Sequence, residues 1–212
     1  MATPGTRGRG RPAATDSRDT RARILDAALR LFGNGSYEAV SMVAVGAECG
    51  VDKRTVRYHF GAKRELFEAA RAEAFRRFVE EARQRVFQHD TARGRLTGWI
   101  DAYRNLHAFD TDVVRFIGFA VAEGIAGPDS QDSLVEAGAE LFGMLAEIVE
   151  DARAAGELNP AVDTAAAVQL VSAVSIGMSV MALSPGPYQQ TLDALDLLLA
   201  GTFFTTPPHQ PT

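Results

Sequence analysis

Residues 41–63 read SMVAVGAECGVDKRTVRYHFGAK, and this stretch decides the fold of the N-terminal part of the chain. Ser41 and Asp52 are good helix N-caps, because their side-chain oxygens accept hydrogen bonds from the free backbone N–H groups of a first helical turn. The sequence therefore predicts two short helices that end near Glu48 and Phe60 and are separated by a tight glycine-containing turn. This is the layout of a helix-turn-helix.

The two sides of the second short helix differ in chemistry. Apolar residues on and around it are spaced to bury between the helices: Val45, Cys49, Val51, Val56 and Phe60. Residues three and four apart share a helix face, and four others lie on the opposite face: Lys53, Arg54, Arg57 and Tyr58. A helix of about seven residues is roughly 10 Å long and fits a major groove about 12 Å wide, where Lys and Arg reach phosphates or guanine. The charge pattern alone equally suits a solvated face on an ordinary helical hairpin.

The flanking sequence is helical in pattern. A first helix over about 19–32 carries apolar residues at helical spacing and is stopped by the glycines of 33–36. A longer helix starts near Lys63. Further helices are predicted over 94–108, 112–126, 132–155, 163–183 and 188–202, with Gly-Pro-containing breaks between them. Strand-like alternation is not sustained, so the predicted fold class is all-α.

Charge is segregated along the 212 residues, although the formal net charge is only −5. Residues 1–64 hold 12 Lys/Arg and 6 Asp/Glu, a net charge of +6, whereas residues 65–212 hold 10 and 21, a net charge of −11. Only the first part is therefore suited to a polyanion. One cysteine, Cys49, excludes an intrachain disulfide and fits a reducing cytosol, and residues 1–19 lack the apolar core of a signal peptide. We expect a cytoplasmic, nucleoid-associated protein.

Residues 21–66 closely resemble the DNA-binding domain of TetR-family (tetracycline-repressor-like) transcription regulators. The resemblance covers roughly a quarter of the chain and rests on several elements in register: Ile24-Leu25, Ala27-Ala28, Leu31-Phe32, Cys49-Gly50-Val51, Thr55-Val56, Tyr58-His59-Phe60 and Lys63. It implies a three-helix DNA-binding domain over 18–66 and a helical ligand-binding and dimerisation domain over 67–204. Residues 1–17 and 205–212 are expected to be disordered tails.

The same resemblance implies which residues contact DNA. The recognition-helix positions that touch bases or phosphates are Lys53, Arg54, Thr55, Arg57, Tyr58 and His59. Lys63 matches a phosphate contact at the start of the fourth helix, where free N–H groups also favour an anion, and Ser41 begins the second helix near the DNA backbone. Arg57 departs from the family, which usually has an aromatic residue there, and Gly46 stands where alanine is usual, at some cost in helix propensity. Because 42–44 is apolar where polar residues are more common, discrimination is expected to rest on Arg54 and Arg57.

Arginines of the N-terminal tail, within Arg7–Pro12, lie among small residues and are able to enter a narrow minor groove, as homeodomain arms do. An uninvolved flexible leader explains the same composition, and both interpretations stay open.

The segment 163–183 is apolar nearly all round, with small residues that allow close approach of another helix. A lone membrane span, a buried core helix and a dimer face are three interpretations of it; the lack of Lys/Arg flanks speaks against the first. The resemblance implies that 163–183 and 188–202 form a four-helix interface in a homodimer. Such a dimer places two recognition helices on a palindromic operator.

An effector pocket is implied between the domains, where aromatic side chains cluster in the sequence. Its candidate residues are Trp99, Tyr103, His107, Phe116, Phe119 and Glu123, the last as a polar anchor. Large aromatics with a few polar tips suit a mostly apolar small molecule, although plain core packing accounts for each aromatic equally well. Effector and DNA would favour different separations of the DNA-binding heads.

Other functions lack their motifs. The four histidines are scattered without metal-ligand spacing, and there is no nucleophile elbow or phosphate-binding glycine loop, so no catalytic residue, cofactor or metal is expected. A repressor is favoured over an activator of the same family. A helical adaptor that binds only proteins is the remaining alternative.

Overall fold

The computed structural model describes residues 14–126, 128–184 and 186–202, and these residues form helices and loops without a β-strand. The all-α prediction is confirmed. The helices are α1 Ala14–Gly33, α2 Met42–Cys49, α3 Lys53–Phe60, α4 Lys63–Val86, α5 Ala92–Phe109, α6 Thr111–Ala126, α7 Pro128–Ala154, α8 Thr164–Met181 and α9 Tyr188–Thr202.

Two helices begin earlier than the sequence pattern indicates. α1 starts at Ala14 rather than near Asp19, so the last four residues of the predicted tail 1–17 are helical. α7 starts at Pro128 rather than Asp132, since proline is tolerated in the first turn of a helix. The tail arginines and residues 205–212 lie outside the described residues.

The N-terminal helices α1, α2 and α3 form a small head around one side of α1. Its buried core combines the apolar stripe of α1 with the inward residues of the two short helices: Ile24, Leu25, Ala28, Leu29, Phe32, Val45, Val56 and Phe60. The head rests on the rest of the molecule, the body, because α1 also packs against α4 and α6.

Helix α6 is central in the body, where it contacts α4, α5, α7 and α8 as well as α1. Its crossing with α8 is close: a Cβ at Gly118 would collide with the backbone carbonyl of Ser179. α4 runs from the end of the head into the body and packs along α5. A change in either α4 or α6 is therefore felt directly by α1.

Ion pairs tie the head to the body. Arg30 of α1 pairs with Asp112 at the start of α6 (3.2 Å) and with Glu48 of α2 (2.5 Å). Arg77 of α4 lies 2.5 Å from Asp26 of α1 and 3.4 Å from Asp110 in the loop before α6.

Helix α8 is long and apolar enough to cross a membrane by length and composition, with a mean hydropathy of 1.6. Only 28% of this window is buried in the single chain. Large apolar side chains are exposed on α8 and on the neighbouring α9: Leu170, Met181, Leu197 and Leu198. The outer face of these two helices is thus apolar and uncovered by the described part of the chain.

Candidate nucleic-acid interface

Helix α3 is capped at both ends. The Asp52 side chain accepts a hydrogen bond from the Thr55 backbone N–H at 2.7 Å, and the hydrogen bonding with Thr55 lowers the pKa of Asp52 below its ordinary value. At the other end Gly61, with φ 74°, donates its N–H to the Arg57 carbonyl at 2.9 Å. The short helix therefore has defined limits, as the N-cap at Asp52 and the break at Gly61 predict.

The turn between α2 and α3 depends on two glycines. Gly50 takes a left-handed conformation (φ 70°) that disfavours side chains. The Val51 N–H donates to the Gly46 carbonyl at 2.8 Å, and a Cβ at Gly46 would lie 2.6 Å from the Val51 carbonyl oxygen. From the sequence, Gly46 is expected to lower the helix propensity of α2. The structure shows why a glycine is needed there: the turn passes too close to leave room for a Cβ.

The two faces of α3 separate as the spacing predicts. Val56 and Phe60 are buried, and Val45 and Cys49 of α2 are buried beside them, whereas Val51 in the turn is half-buried. The outward residues are exposed: Lys53, Arg54, Arg57 and Tyr58, the last at 83%. Two further candidates, Thr55 and His59, are half-buried at the edges of this face.

The cations of α3 differ from the arginines of the body in their surroundings. Within residues 14–126, 128–184 and 186–202, Lys53, Arg54 and Arg57 form no ion pair, whereas arginines of the body such as Arg76 and Arg104 each pair with acidic side chains. An exposed row of free cations about 12 Å long, from a helix that rises 1.5 Å per residue, is suited to a row of phosphates or to base edges in a groove.

The other two DNA-contact candidates already have contacts within the head. The Ser41 hydroxyl accepts from the Ala44 N–H at 3.1 Å as the N-cap of α2. The Lys63 ammonium lies 4.3 Å from the centre of the Tyr37 ring and donates to the Glu38 carbonyl at 3.3 Å. These contacts fix both side chains within the head.

The N-terminus of α4 differs from the expectation of a free anion-binding end. The Glu65 carboxylate accepts the Ala62 N–H, so one of the first N–H groups is already satisfied by the chain itself.

Two arginines of α1 support the recognition helix, and the sequence patterns did not single them out for this role. The Arg21 guanidinium stacks 4.8 Å from the centre of the Phe60 ring at the end of α3. The Arg23 guanidinium donates to the Cys49 carbonyl at the end of α2. In the sequence, these two arginines are distinguished only by lying off the apolar stripe of α1. Their contacts become apparent from the packing of α1 against α2 and α3.

The predicted effector residues fall into two aromatic groups. Trp99 and Tyr103 of α5 pack on Phe78 of α4, with ring centres 5.6 and 4.5 Å away. Phe116 and Phe119 of α6 instead lie against Phe67 of α4, at 5.4 and 6.2 Å. This second group continues into the head through Phe32, whose ring is 6.3 Å from that of Phe116. The structure thus places Phe116 and Phe119 at the contact of head and body, apart from Trp99 and Tyr103.

The inner end of the first group is polar. The Tyr103 hydroxyl lies 2.9 Å from the Ser175 hydroxyl and 3.1 Å from the Ser179 hydroxyl of α8. All three residues are buried, and burial raises the pKa of Tyr103 above its ordinary value. The two serines were missed in the sequence because they lie within an apolar helix; only the crossing with α5 reveals their role.

His107, the third candidate on α5, lies at the junction with α9. Its ring stacks on that of Tyr188 at 4.4 Å, and its Nδ1 is 3.4 Å from Nε2 of Gln189. Burial, together with the charge of Arg115, lowers the pKa of His107 below its ordinary value. The backbone of Glu123 belongs to α6, but its side chain lies outside the described residues.

A groove of about 410 Å³, partly open to solvent, runs between α5, α8 and α9. Its walls are apolar and include Trp99, Ile100, Val171, Met178, Leu195 and Leu198. No group of three or more His, Cys, Asp or Glu side chains in the described ranges is placed to hold a metal ion.

Comparisons with known proteins agree with this arrangement. Residues 24–70 match the family model of the bacterial regulatory proteins, tetR family. The HTH-type transcriptional regulator UidR of Escherichia coli K12 is 23% identical over 177 residues, which cover 77% of this chain and 82% of UidR.

Two solved structures share the fold. A Saccharomonospora viridis protein in complex with choline superposes with a TM-score of 0.76 at 18% identity, over 89% of this chain and 100% of that one. FadR of Bacillus subtilis in complex with stearoyl-CoA superposes with a TM-score of 0.70 at 17% identity, over 85% and 97%.

The matched residues contain the second half of α1, the whole of α2 and the capped, cationic helix α3. Members of the matched family are transcriptional regulators, which confirms the prediction that the chain is not an enzyme. The helix-turn-helix over 24–70 is therefore of the type found in the tetR family of bacterial regulatory proteins.

Proposed function

We propose that this regulator is a repressor that binds a palindromic operator as a homodimer and leaves it when a small, mostly apolar effector binds. The observation that carries the proposal is the row of exposed cations on α3, which have no carboxylate partner among the described residues and stand on a buried apolar underside. Such a face favours DNA binding, because its cations neutralise phosphates and release the counterions condensed on the DNA.

The proposed roles of the head residues follow from their exposure. Arg54 and Arg57, fully outward, are proposed to read bases, because a guanidinium donates two parallel hydrogen bonds to guanine O6 and N7. Other residues are proposed to hold the phosphates and sugars on either side: Ser41, Lys53, Thr55, Tyr58, His59 and Lys63. The outward face of α2 is apolar at Val43 and Ala44, which favours base reading by α3 alone.

The homodimer is proposed to form through the outer face of α8 and α9. This face exposes large apolar side chains, and Gly177 on α8 opens to free space where a second helix can approach closely. Residues of both helices line one groove, so the two exposed faces adjoin. We propose residues 18–66 as the DNA-binding domain and 67–204 as the ligand-binding and dimerisation domain.

The effector is proposed to bind in the body, along the face of α5 that carries Trp99, Tyr103 and His107. Two of the solved structures with this fold hold ligands as different as choline and stearoyl-CoA, so the ligand class must be inferred from this chain's own residues. Phe116 and Phe119 are proposed to act at the contact of head and body, where movement of α4 or α6 is passed to α1.

Mutual exclusion of effector and operator would arise by population shift. If the effector favours one separation of the two heads and the operator another, each ligand weakens the binding of the other by the same factor.

An activator of the same family is the second candidate, since DNA binding by itself does not determine whether transcription is raised or lowered. Transcription of a reporter with and without the protein distinguishes the two. We propose the cytoplasm, on nucleoid DNA, as its location.

The experiment is to select bound sites from a random duplex library and then titrate the best duplex and a scrambled one by fluorescence anisotropy. We expect a palindromic site, a steep loss of affinity with salt, and a clear preference over the scrambled duplex. Arg57→Ala should weaken binding to the selected site by about 1–3 kcal/mol and leave binding to the scrambled site less affected.

The control for the loss of one positive charge is Arg83→Gln, because Arg83 lies on the body and pairs with Glu140 at 2.6 Å. This variant should bind both duplexes as the unchanged protein does. Failure of the unchanged protein to prefer any duplex would overturn the proposed function, and equal losses on both duplexes for Arg57→Ala would reduce Arg57 to a phosphate contact.

A further inference from the structure

The Lys63 side chain, a proposed phosphate contact, is held at two points by the loop between α1 and α2. Its ammonium lies 4.3 Å from the centre of the Tyr37 ring and donates a hydrogen bond to the Glu38 carbonyl at 3.3 Å. A lysine side chain has a flexible four-carbon stem and otherwise samples many conformations. The ring and the carbonyl together therefore restrict the position of the ammonium at the start of α4.

These two contacts leave part of the ammonium free. It has three N–H donors, and the Glu38 carbonyl accepts from one of them. The Tyr37 ring attracts the cation through the negative charge of its π face, a contact that leaves the remaining donors able to bond elsewhere. Lys63 forms no ion pair with any carboxylate that the structure describes. Its charge is thus available to a phosphate.

Tyr37 is itself fixed by two other rings. It stacks on Phe32 of α1, with ring centres 5.9 Å apart and an interplanar angle of 12°. It also meets Phe67 of α4 edge to face, with ring centres 5.2 Å apart. The side chain is half-buried and packs against the hydrophobic core, so the ring can turn away from Lys63 only by breaking its contacts with α1 and α4.

The first turn of α4 offers an anion little besides Lys63. The Glu65 carboxylate accepts the Ala62 N–H, so a negative group already occupies this helix end. A phosphate that approaches the start of α4 would be repelled by Glu65 unless a cation lay close to it. The exact place of the Lys63 ammonium therefore matters more here than it would at a helix with a free N-terminus.

We propose that Tyr37 is a positioning residue for DNA binding, whose ring face holds the Lys63 ammonium where it contacts a phosphate of the operator. The inference rests on the proposed function, in which Lys63 is a phosphate contact. Because the ammonium is ordered before DNA binds, association avoids the cost of immobilising one long side chain, which corresponds to about two- to tenfold in affinity. A phosphate contact carries no sequence information, so the gain is expected on any duplex.

The test is a series of replacements of Tyr37 that all keep a six-membered aromatic ring. Tyr37→Phe keeps the negative ring face, whereas phenylalanine analogues with one, three and five ring fluorines at this position reduce that charge step by step and finally reverse it. Binding of the full chain to the selected and scrambled duplexes is measured by fluorescence anisotropy at several salt concentrations. Tyr37→Phe should bind as the unchanged protein does. Affinity for both duplexes should then fall with each step of fluorination, by about two- to tenfold over the series.

Lys63→Gln shows whether the effect of the ring acts through the ammonium. This variant should weaken binding to both duplexes and reduce the slope of log K against log salt by about 0.9 for each bound head. In the Lys63→Gln background the whole ring series should bind equally, because no ammonium is left to position. Arg83→Gln, which removes a charge on the body, should leave the affinity and its salt dependence unchanged.

Three outcomes would overturn this role of Tyr37. They are an affinity that does not follow fluorination, a fluorination effect that persists after Lys63→Gln, and a salt dependence that Lys63→Gln leaves unchanged. A purely structural role of the ring would give the second outcome, since a packing defect does not require the ammonium. If the unchanged protein still prefers the selected duplex in any of these cases, only the positioning role is wrong. Loss of that preference in the unchanged protein would instead overturn the proposed function.

Discussion

Gly46 lies where the backbone of α2 comes closest to the turn that leads into α3. Its carbonyl accepts the Val51 N–H, and there is no room for a Cβ between the two segments. A residue chosen for helix propensity alone would be alanine, which is better than glycine by about 1 kcal/mol inside a helix. Alanine is disfavoured at this position because the backbone of α2 packs directly against the backbone of the turn.

Gly46→Ala is expected to lower the free energy of unfolding by about 1–3 kcal/mol, because a methyl group forced against a carbonyl must displace α2 or the turn. Gly143→Ala in α7 is the matched control: its Cβ would meet open space, so it should be neutral or stabilising by up to about 1 kcal/mol. Urea unfolding of both variants at equal protein concentration measures the difference. Equal gains in stability for the two would contradict the close approach.

At the scale of elements, Arg77 joins α4 to α1 and to the loop before α6, and Glu73, one turn earlier on α4, pairs with Arg77. The Glu73 carboxylate lies 2.8 Å from both Arg76 and Arg77. Hydrogen bonds from Arg76 and then Arg77 outweigh the effect of burial and lower the pKa of Glu73 from 4.5 to about 2. This cluster braces the helix that connects head and body.

Glu73→Gln is expected to destabilise the protein by about 1–2 kcal/mol at pH 7, after allowance for solvent screening. Because the pKa is lower in the folded state, the contribution of Glu73 is fully present above pH 5 and is lost as the pH falls from 4.5 towards 2. The difference between variant and unchanged protein should therefore shrink in acid, as urea unfolding at several pH values would show. The exposed Glu80, which pairs with Arg76 at 2.9 Å, provides the control Glu80→Gln, with a loss near zero. A Glu73→Gln deficit that is constant from pH 7 to pH 3 would rule out this origin.

At the scale of the whole molecule, the single chain leaves a large apolar surface on α8 and α9. Exposed apolar patches of this kind usually mark an interaction surface. A second copy of the chain would cover the surface and place two heads side by side. Affinity for a palindrome then depends on residues far from the DNA.

Leu197→Glu is expected to convert the proposed dimer to a monomer, because Leu197 is 76% exposed on α9 and the proposed interface would bury a carboxylate there without a partner. Light scattering should show the mass fall from twice 22.8 kDa to that of one chain, with a large loss of affinity for the palindrome. Phe87→Glu, at an exposed apolar residue at the end of α4, should leave the mass unchanged. A monomeric unchanged protein, or a Leu197→Glu variant that stays dimeric, would contradict this interface.

The head was predictable in detail from the sequence, since its determinants are local. The caps at Ser41 and Asp52, the turn at Gly50, and the split between buried Val56 and exposed Arg57 follow from residue types and helical spacing within about twenty positions. The stacking of Arg21 on Phe60 was not predictable, because it joins residues that only the packing of α1 on α3 brings together.

The sequence by itself determined the all-α class, the helix-turn-helix and its cationic face, because backbone hydrogen bonding and amphipathic spacing act between near neighbours in the chain. Only the tertiary structure decided that Phe116 and Phe119 pack at the contact of head and body rather than beside Trp99, and that the rings of His107 and Tyr188 stack. These contacts join helices that are far apart in sequence. Which faces meet is fixed by the mutual packing of the helices, and the spacing within any one helix contains no information about its partner.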